Sequence, residues 1–242
     1  MVVVKVENLQ KNFGKVKALR GISFECFEGE IFGLIGPNGA GKSTCLRILS
    51  TILSKSEGEV KIFDYDVSEK MKIKRIISYL PEDAGAYKNL KGIDYLKFFV
   101  NFFTDVQDKD KTLEYGIELS SLGERLNDKI ETYSKGMVRR LLIARSLMIN
   151  PKLAILDEPT SGLDVINATQ IRDIIKNKAK EGTTFIVSSH NMLEVDYLCD
   201  RISLINNGLI VESGDIRGLK EKYRAQNIEE IFVKVVGVKN DF

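Results

Sequence analysis

Nine residues, GPNGAGKST from Gly36 to Thr44, have the types and spacing to cradle a polyphosphate. They fit the pattern G-x-x-x-x-G-K-[ST], with Gly36, Gly41, Lys42 and Ser43 at its fixed places and Pro37, Asn38, Gly39 and Ala40 between. Gly36, Gly39 and Gly41 can take positive φ and turn backbone N–H groups inward around an anion. Lys42 would reach the β- and γ-phosphates, and the Ser43 hydroxyl would ligate Mg²⁺. A second group follows Leu153-Ala154-Ile155-Leu156, where an apolar run ends in Asp157 and Glu158. Alone, two acids there would mark the solvent end of a core strand. In a chain with a phosphate loop they match the second nucleotide motif: Asp157 for Mg²⁺, Glu158 to orient or deprotonate the attacking water. His190 is the only histidine, and no further His or Cys completes a metal set around it. A lone histidine is more often structural, but this one stands at a strand end, as the other two groups do.

These groups need strands and helices to hold them. Glu30 to Ile35 is an apolar run of strand length before the phosphate loop. After it, Cys45, Ile48, Leu49, Ile52 and Leu53 share one helical face, so the phosphates would meet a helix N-terminus. Upstream, residues 2–6 and 22–27 read as strands, with a turn-like LQKNFGKVKAL between them. Phe13 in that stretch either stacks on a base or packs at a rim. Val60 and Ile62 alternate as a short strand, residues 68–75 form a basic helical turn on a solvated face, and residues 76–80 form a strand. Pro81 ends that strand, with Glu82 just past it.

Residues 85–132 change character: Ile93, Leu96, Val100 and Phe103 give a helical face, and Leu113, Ile117 and Leu122 a weaker one, so a helical insertion is expected. Ser134 caps the next helix, which has Met137, Leu141, Ala144 and Met148 on one face and Arg139, Arg140 and Arg145 mostly on another. Ser161 to Asp164 is a tight loop into a helix bearing Ile171, Ile174 and Ile175. Thr184 to Ser188 is a strand, and Asn206-Asn207-Gly208 signals a hairpin. Asp215 opens a helix, followed by a short helix and tail.

Composition narrows the class. The 242 residues are 43% hydrophobic, enough for a buried core. Lys+Arg 36 against Asp+Glu 34 points to no nucleic-acid or acidic partner in particular. Three scattered cysteines fit a reducing compartment. No signal peptide is evident, and no apolar run approaches the roughly 20 residues that span a bilayer, so a soluble protein is expected.

With GPNGAGKST, YSKGM, LAILDEP, SGLD and the SSH ending in His190 in this order, the sequence resembles the ATP-binding subunits of ABC transporters over nearly its whole length. It looks most like the exporter-type subunits whose signature reads YSKGM and whose strand before the helical insertion ends in LPED. The resemblance implies an α/β fold: a RecA-like P-loop NTPase core with an N-terminal antiparallel β region and an inserted helical subdomain. Residues 1–84 and 150–214 would form the core and β region, 85–149 the helical signature subdomain, and 215–242 a C-terminal helix and tail. It implies ATP and Mg²⁺ as cofactors and ATP hydrolysis coupled to transport. It also implies two kinds of partner, a transmembrane permease subunit and a second copy of the chain or a paralogous ATPase. The chain would then be cytoplasmic, on the inner face of the membrane through its partner, and would bind no nucleic acid.

By the same resemblance two subunits pack head to tail, each ATP held by the phosphate loop of one and the signature of the other. Ser134 and the N–H groups at Gly136 would face the γ-phosphate across the interface. Phe13 would stack on adenine and Asp164 would join the two sites. Two departures from the family pattern stand out. Where LSGGQ is usual, Lys135 replaces the first glycine and Met137 the glutamine; where Gln usually follows LP, this chain has Glu82, which can still ligate Mg²⁺ but adds a negative charge. The alternative is a soluble ABC-type ATPase acting on nucleic acid or the ribosome. The DNA type would carry a long coiled coil, and the ribosomal type is usually two cassettes in one chain. A P-loop small-molecule kinase would leave YSKGM and SGLD unexplained. Finally, Asp83 to Leu90 offers Tyr87 and Leu90 either to the helical subdomain or to a short cytoplasmic helix of the permease.

Overall fold

The computed structural model describes residues 1–102 and 108–237, so Phe103 and the last residues of the expected tail lie outside the described residues. The chain begins with β1 (Val2–Phe13), β2 (Val16–Phe27) and β3 (Ile31–Ile35), then α1 (Lys42–Leu49). β4 (Glu57–Ile62), β5 (Tyr65–Asp66), α2 (Lys70–Lys74) and β6 (Ile77–Leu80) follow. Three helices come next: α3 (Gly92–Phe102), α4 (Lys109–Ser120) and α5 (Lys135–Leu147). β7 (Leu153–Asp157), α6 (Val165–Lys180), β8 (Thr184–Ser189) and α7 (Met192–Leu198) return to a strand–helix alternation. β9 (Arg201–Asn206), β10 (Leu209–Asp215), α8 (Ile216–Tyr223) and α9 (Ile228–Gly237) close the chain.

The strands form two sheets. One has six strands in the order β10-β9-β3-β8-β7-β6, all parallel except β10. Every residue of β3, β7 and β8 is buried, as expected of parallel strands covered on both faces. The other sheet is antiparallel, β2-β1-β4-β5. Its inward residues Val4, Val6, Leu9 and Leu19 share one core with Leu46 and Leu49 of α1 and with Ile155 and Ile186 of the six-stranded sheet. On the opposite side α3 and α5 pack through Leu96, Val100, Leu141 and Leu147, with Leu113 and Ile117 of α4 against them, into a core that also takes Leu156 and Val187.

Three expectations need correction. The stretch between the first two strands is no long turn. β1 and β2 form one hairpin whose register runs to Phe13↔Val16, closing on Gly14 at φ 57°. Its outer half buries little, and even Phe13 and Val16 at the tip are exposed, so the alternation that marks a half-buried strand is missing. The phosphate-loop helix stops at Leu49. Thr51 takes φ 63°, and Ile52 is left 63% exposed rather than on the buried face. The three arginines of α5, expected mostly on one face, differ in surroundings: Arg139 is buried, 8% exposed, while Arg140 and Arg145 are half-buried. The Asn207-Gly208 turn, by contrast, joins Asn206 and Leu209 with φ 48° and 73°, the positive pair that a two-residue hairpin needs. Cys26, Cys45 and Cys199 are all buried free thiols, and burial pushes Cys45 up to about 12. Among the described residues no helix is long and apolar enough to cross a membrane.

Candidate functional site

β3, β6, β7 and β8 run in one direction, so their C-terminal ends lie side by side at one edge of the sheet. Ligands of open α/β sheets bind in such a crevice. The phosphate loop follows β3, Glu82 follows β6, Glu158 follows β7 and His190 follows β8. A cleft there is lined by Pro37, Asn38, Gly39, Ala40, Gly41, Lys42, Ser43 and Thr44, with Ala18 from β2, Glu82 and Glu158.

The loop owes its shape to backbone geometry. Gly39 and Gly41 take φ 79° and 109°, as expected of glycines that turn N–H groups inward. Gly36 does not; it is glycine for another reason, since a Cβ there would stand 2.0 Å from the Ile205 carbonyl oxygen. Gly41 caps α1 with no side-chain hydrogen bond. The first N–H groups of that helix are therefore open to an anion, and the helix dipole favours one there.

Lys42 and Glu158 meet at the floor of the cleft. The Lys42 Nζ donates to the Gly36 carbonyl at 2.7 Å and to the Pro37 carbonyl at 3.2 Å, and stands 3.3 Å from Glu158 Oε1. That last contact has ion-pair distance but not hydrogen-bond alignment, so Oε1 is buried with no hydrogen-bond partner. Glu158 Oε2 lies 2.8 Å from His190 Nδ1. A carboxylate 5% exposed is thus held between a buried lysine and a half-exposed histidine, with one oxygen unclaimed by any hydrogen bond. Glu158 also has φ 48°, a left-handed backbone that costs a non-glycine residue on the order of 1–2 kcal/mol. Two contacts offset this: its N–H donates to Ser188 Oγ at 3.0 Å, and its carbonyl accepts from Arg139 at 2.7 Å. Each such bond contributes about 1 kcal/mol net.

Asp157 is 1% exposed and accepts the Ser188 hydroxyl on Oδ1 at 2.5 Å. Glu82 reaches over the same edge, where its Oε1 accepts from Ser161 Oγ at 3.3 Å. His190 sits between β8 and α7, whose N-cap is Asn191. α7 is tied back to the turn after β7: Thr160 Oγ1 donates to Glu194 Oε2 at 2.7 Å, and Arg172 pairs with Glu194 Oε1 at 3.2 Å.

The other site candidates stand apart from this cleft. Phe13 is at the tip of the β1–β2 hairpin, 48% exposed, beneath the Lys11 ammonium. Ser134 is exposed and caps α5 by accepting from Met137 N–H at 3.2 Å, while Gly136 packs against Asn167 of α6. Asp164 caps α6 and accepts from Asn167 N–H at 2.9 Å. That N–H holds the exposed Asp164 carboxyl below its usual range. Ser188, Thr160, Glu194 and Arg139 also build the site without having been expected. Ser188 alone carries a signal, a hydroxyl directly after the apolar Phe185-Ile186-Val187, one position before the strand end.

The family profile described as ABC transporter matches residues 19–161. An uncharacterized ABC transporter ATP-binding protein, MJ1023 of Methanocaldococcus jannaschii, is 41% identical over 90% of this chain and 80% of its own length. The linearmycin resistance ATP-binding protein LnrL of Bacillus subtilis is 36% identical over 96% of this chain and 75% of its own. Among solved structures, a dimeric post-hydrolysis state of the ATP-binding cassette MJ0796 with ADP and Pi superposes with a TM-score of 0.77. It is 26% identical and covers 88% of this chain and 98% of that one.

Proposed function

This chain belongs to the ABC transporter family as an ATP-binding subunit that hydrolyses ATP, and from that premise we propose that it powers export through a separate membrane-spanning permease, as half of a head-to-tail pair. The chief support is the line Lys42–Glu158–His190, in which side chains from three different strand ends touch in series, Glu158 between the other two. Export is supported by the YSKGM signature and by a relative named for resistance to linearmycin. The chain would then sit in the cytoplasm, on the inner face of the membrane.

Each residue has a definite part in this reading. Backbone N–H groups of Gly39 to Thr44 cradle the phosphates, and Lys42 neutralises charge on the group being transferred. Ser43, Asp157 and Glu82 offer oxygen donors alone, and among the described residues no cluster of three His, Cys, Asp or Glu forms a metal cage. Such a set suits Mg²⁺, which keeps waters and phosphate oxygens in its shell. When bound, Mg²⁺ supplies neutralisation of the β- and γ-phosphate charge. Glu158 takes the proton of the attacking water on Oε1, the oxygen without a hydrogen bond. His190 meets Glu158 through Nδ1 and would hydrogen-bond the γ-phosphate through Nε2. Phe13 stacks on adenine. Ser134 and the Gly136 N–H reach the γ-phosphate bound by the other subunit, and Asp164 links the two sites.

His190→Ala is expected to lose most ATPase activity while ADP affinity stays near that of the parent chain, because the phosphate loop is untouched. Turnover and ADP calorimetry on the same preparation check this; an equal loss of ADP affinity would mean a damaged fold rather than a missing phosphate contact.

Coupling to the permease is placed at Asp83 to Leu90. Leu90 packs into the helical core, and its carbonyl accepts from Ile130 N–H at 2.9 Å, so it belongs to the framework. Tyr87 is 56% exposed and heads an aromatic cluster, its ring 5.7 Å from Phe98 and 6.0 Å from Tyr95. Phe98 and Phe102 extend that cluster outward. A short permease helix laid across these rings would be anchored by a few apolar side chains. Tyr87→Ala should keep the ATPase rate of the isolated subunit within a few-fold and lose its linkage to transport. The comparison to make is ATPase rate with and without the reconstituted permease; normal transport by this variant would move the coupling surface elsewhere.

A further inference from the structure

We propose that Arg139 is a positioning residue for hydrolysis: its guanidinium fastens α5 to the two turns that carry Glu158 and Glu82, and through Glu158 it sets the turnover rate. The proposal rests on Glu158 acting as the base. A guanidinium has five N–H donors, and here all five are spent on backbone carbonyls. Nε donates to Pro159 at 2.8 Å, Nη1 to Pro81 at 3.3 Å and Glu82 at 3.2 Å, and Nη2 to Asp157 at 2.9 Å and Glu158 at 2.7 Å.

The reason lies in the sheet. β6 and β7 pair as far as Leu80↔Leu156 and then part, one into Pro81-Glu82 and the other into Glu158-Pro159. Carbonyls just past the last rung lose their ladder partner; turn N–H groups of Ala84 and Ser161 reach those of Pro81 and Glu158 at 3.3 and 3.2 Å, which leaves further acceptor capacity at this edge. The planar fork of Arg139 fills the gap from the second turn of α5, the helix that Ser134 caps. One side chain therefore joins the signature helix, the metal-side acid and the base.

What Arg139 leaves alone also matters. Burial pulls the guanidinium below its ordinary value, against the charge of three nearby acids, Glu82, Asp157 and Glu158. Buried arginines usually take a carboxylate with both prongs. This one makes no hydrogen bond or ion pair to those carboxylate oxygens among the described contacts, so they stay free for metal, water and His190. Position, more than charge, is what this geometry provides. A lysine keeps the charge, but its donors leave from one nitrogen and cannot span both turns.

Arg139→Lys and Arg139→Met test the assignment, with kcat and KM for ATP and the Kd for ADP measured well below each variant's melting temperature. Both variants should lose at least about tenfold in kcat, with the ADP Kd within about threefold, since the phosphate loop keeps its own contacts. In a Glu158→Gln background, Arg139→Lys should change the residual turnover less than about twofold, because the two act through one carboxylate. Wild-type kcat in Arg139→Lys overturns the proposal, as charge would then suffice. So does a matched loss of kcat and ADP affinity, the mark of a purely structural role. A full additive loss in the Glu158→Gln background also overturns it. If Glu158→Gln alone turns over normally, the underlying reading of the base has failed instead.

Discussion

Glu158→Gln is expected to bind ATP as the parent chain does and to hydrolyse it at least about a hundredfold more slowly, the usual range for a lost general base. The substitution preserves shape. The amide can still meet His190 Nδ1, and Lys42 retains its two carbonyl acceptors, Gly36 and Pro37. The left-handed backbone at residue 158 and its bonds to Ser188 and Arg139 use main-chain atoms, so they too survive. The variant loses basicity at the buried oxygen that no hydrogen bond claims. With ATP bound and not consumed, the head-to-tail pair should persist long enough to elute as a dimer on gel filtration. Turnover at the wild-type rate would remove Glu158 from the chemistry, whatever its position.

Lys42→Ala should do broader damage: weaker nucleotide binding and no turnover. The Lys42 ammonium is 6% exposed and stands 3.3 Å from Glu158. Its loss removes the one cation of the phosphate loop. It also strips Glu158 of its lysine partner, with Asp157 buried next to it. Breaking a buried pair by removing one member costs about 3–5 kcal/mol, so some of the loss should appear as a lower melting temperature without nucleotide. ATP and ADP affinity by calorimetry, with turnover on the same sample, decide it. Retention of both would undo the assignment of the phosphate loop, on which the other roles depend.

The parts of this site that could be read from sequence share a property: they are local. A glycine-rich loop, a run of four apolar residues ending in two acids, and an Asn-Gly turn each declare themselves within about ten residues, because their chemistry and geometry are set by neighbours in the chain. The parts that escaped depend on partners far away in sequence. Arg139 read as one of three arginines mostly on one helical face because its acceptors are carbonyls, which every residue possesses and no sequence advertises. Gly36 looked like a positive-φ glycine, whereas its lack of a side chain answers to Ile205 on the neighbouring β9. The outer half of the β1–β2 hairpin was hidden because strands with little to bury show no alternation. Ile52 followed the helical period, but the helix ended before reaching it, and periodicity does not say where a helix stops.

The burial of all three thiols has a practical side. A thiol reacts with an alkylating reagent as the thiolate, and burial holds each of these in its protonated form, well out of reach. The protein as it stands is thus expected to react slowly with maleimides near neutral pH. A single cysteine introduced on the surface would carry a dye or spin label to one known place, with no need to strip the native residues first. Paired labels at exposed positions away from the nucleotide contacts would report, as a distance, whether two subunits close around ATP.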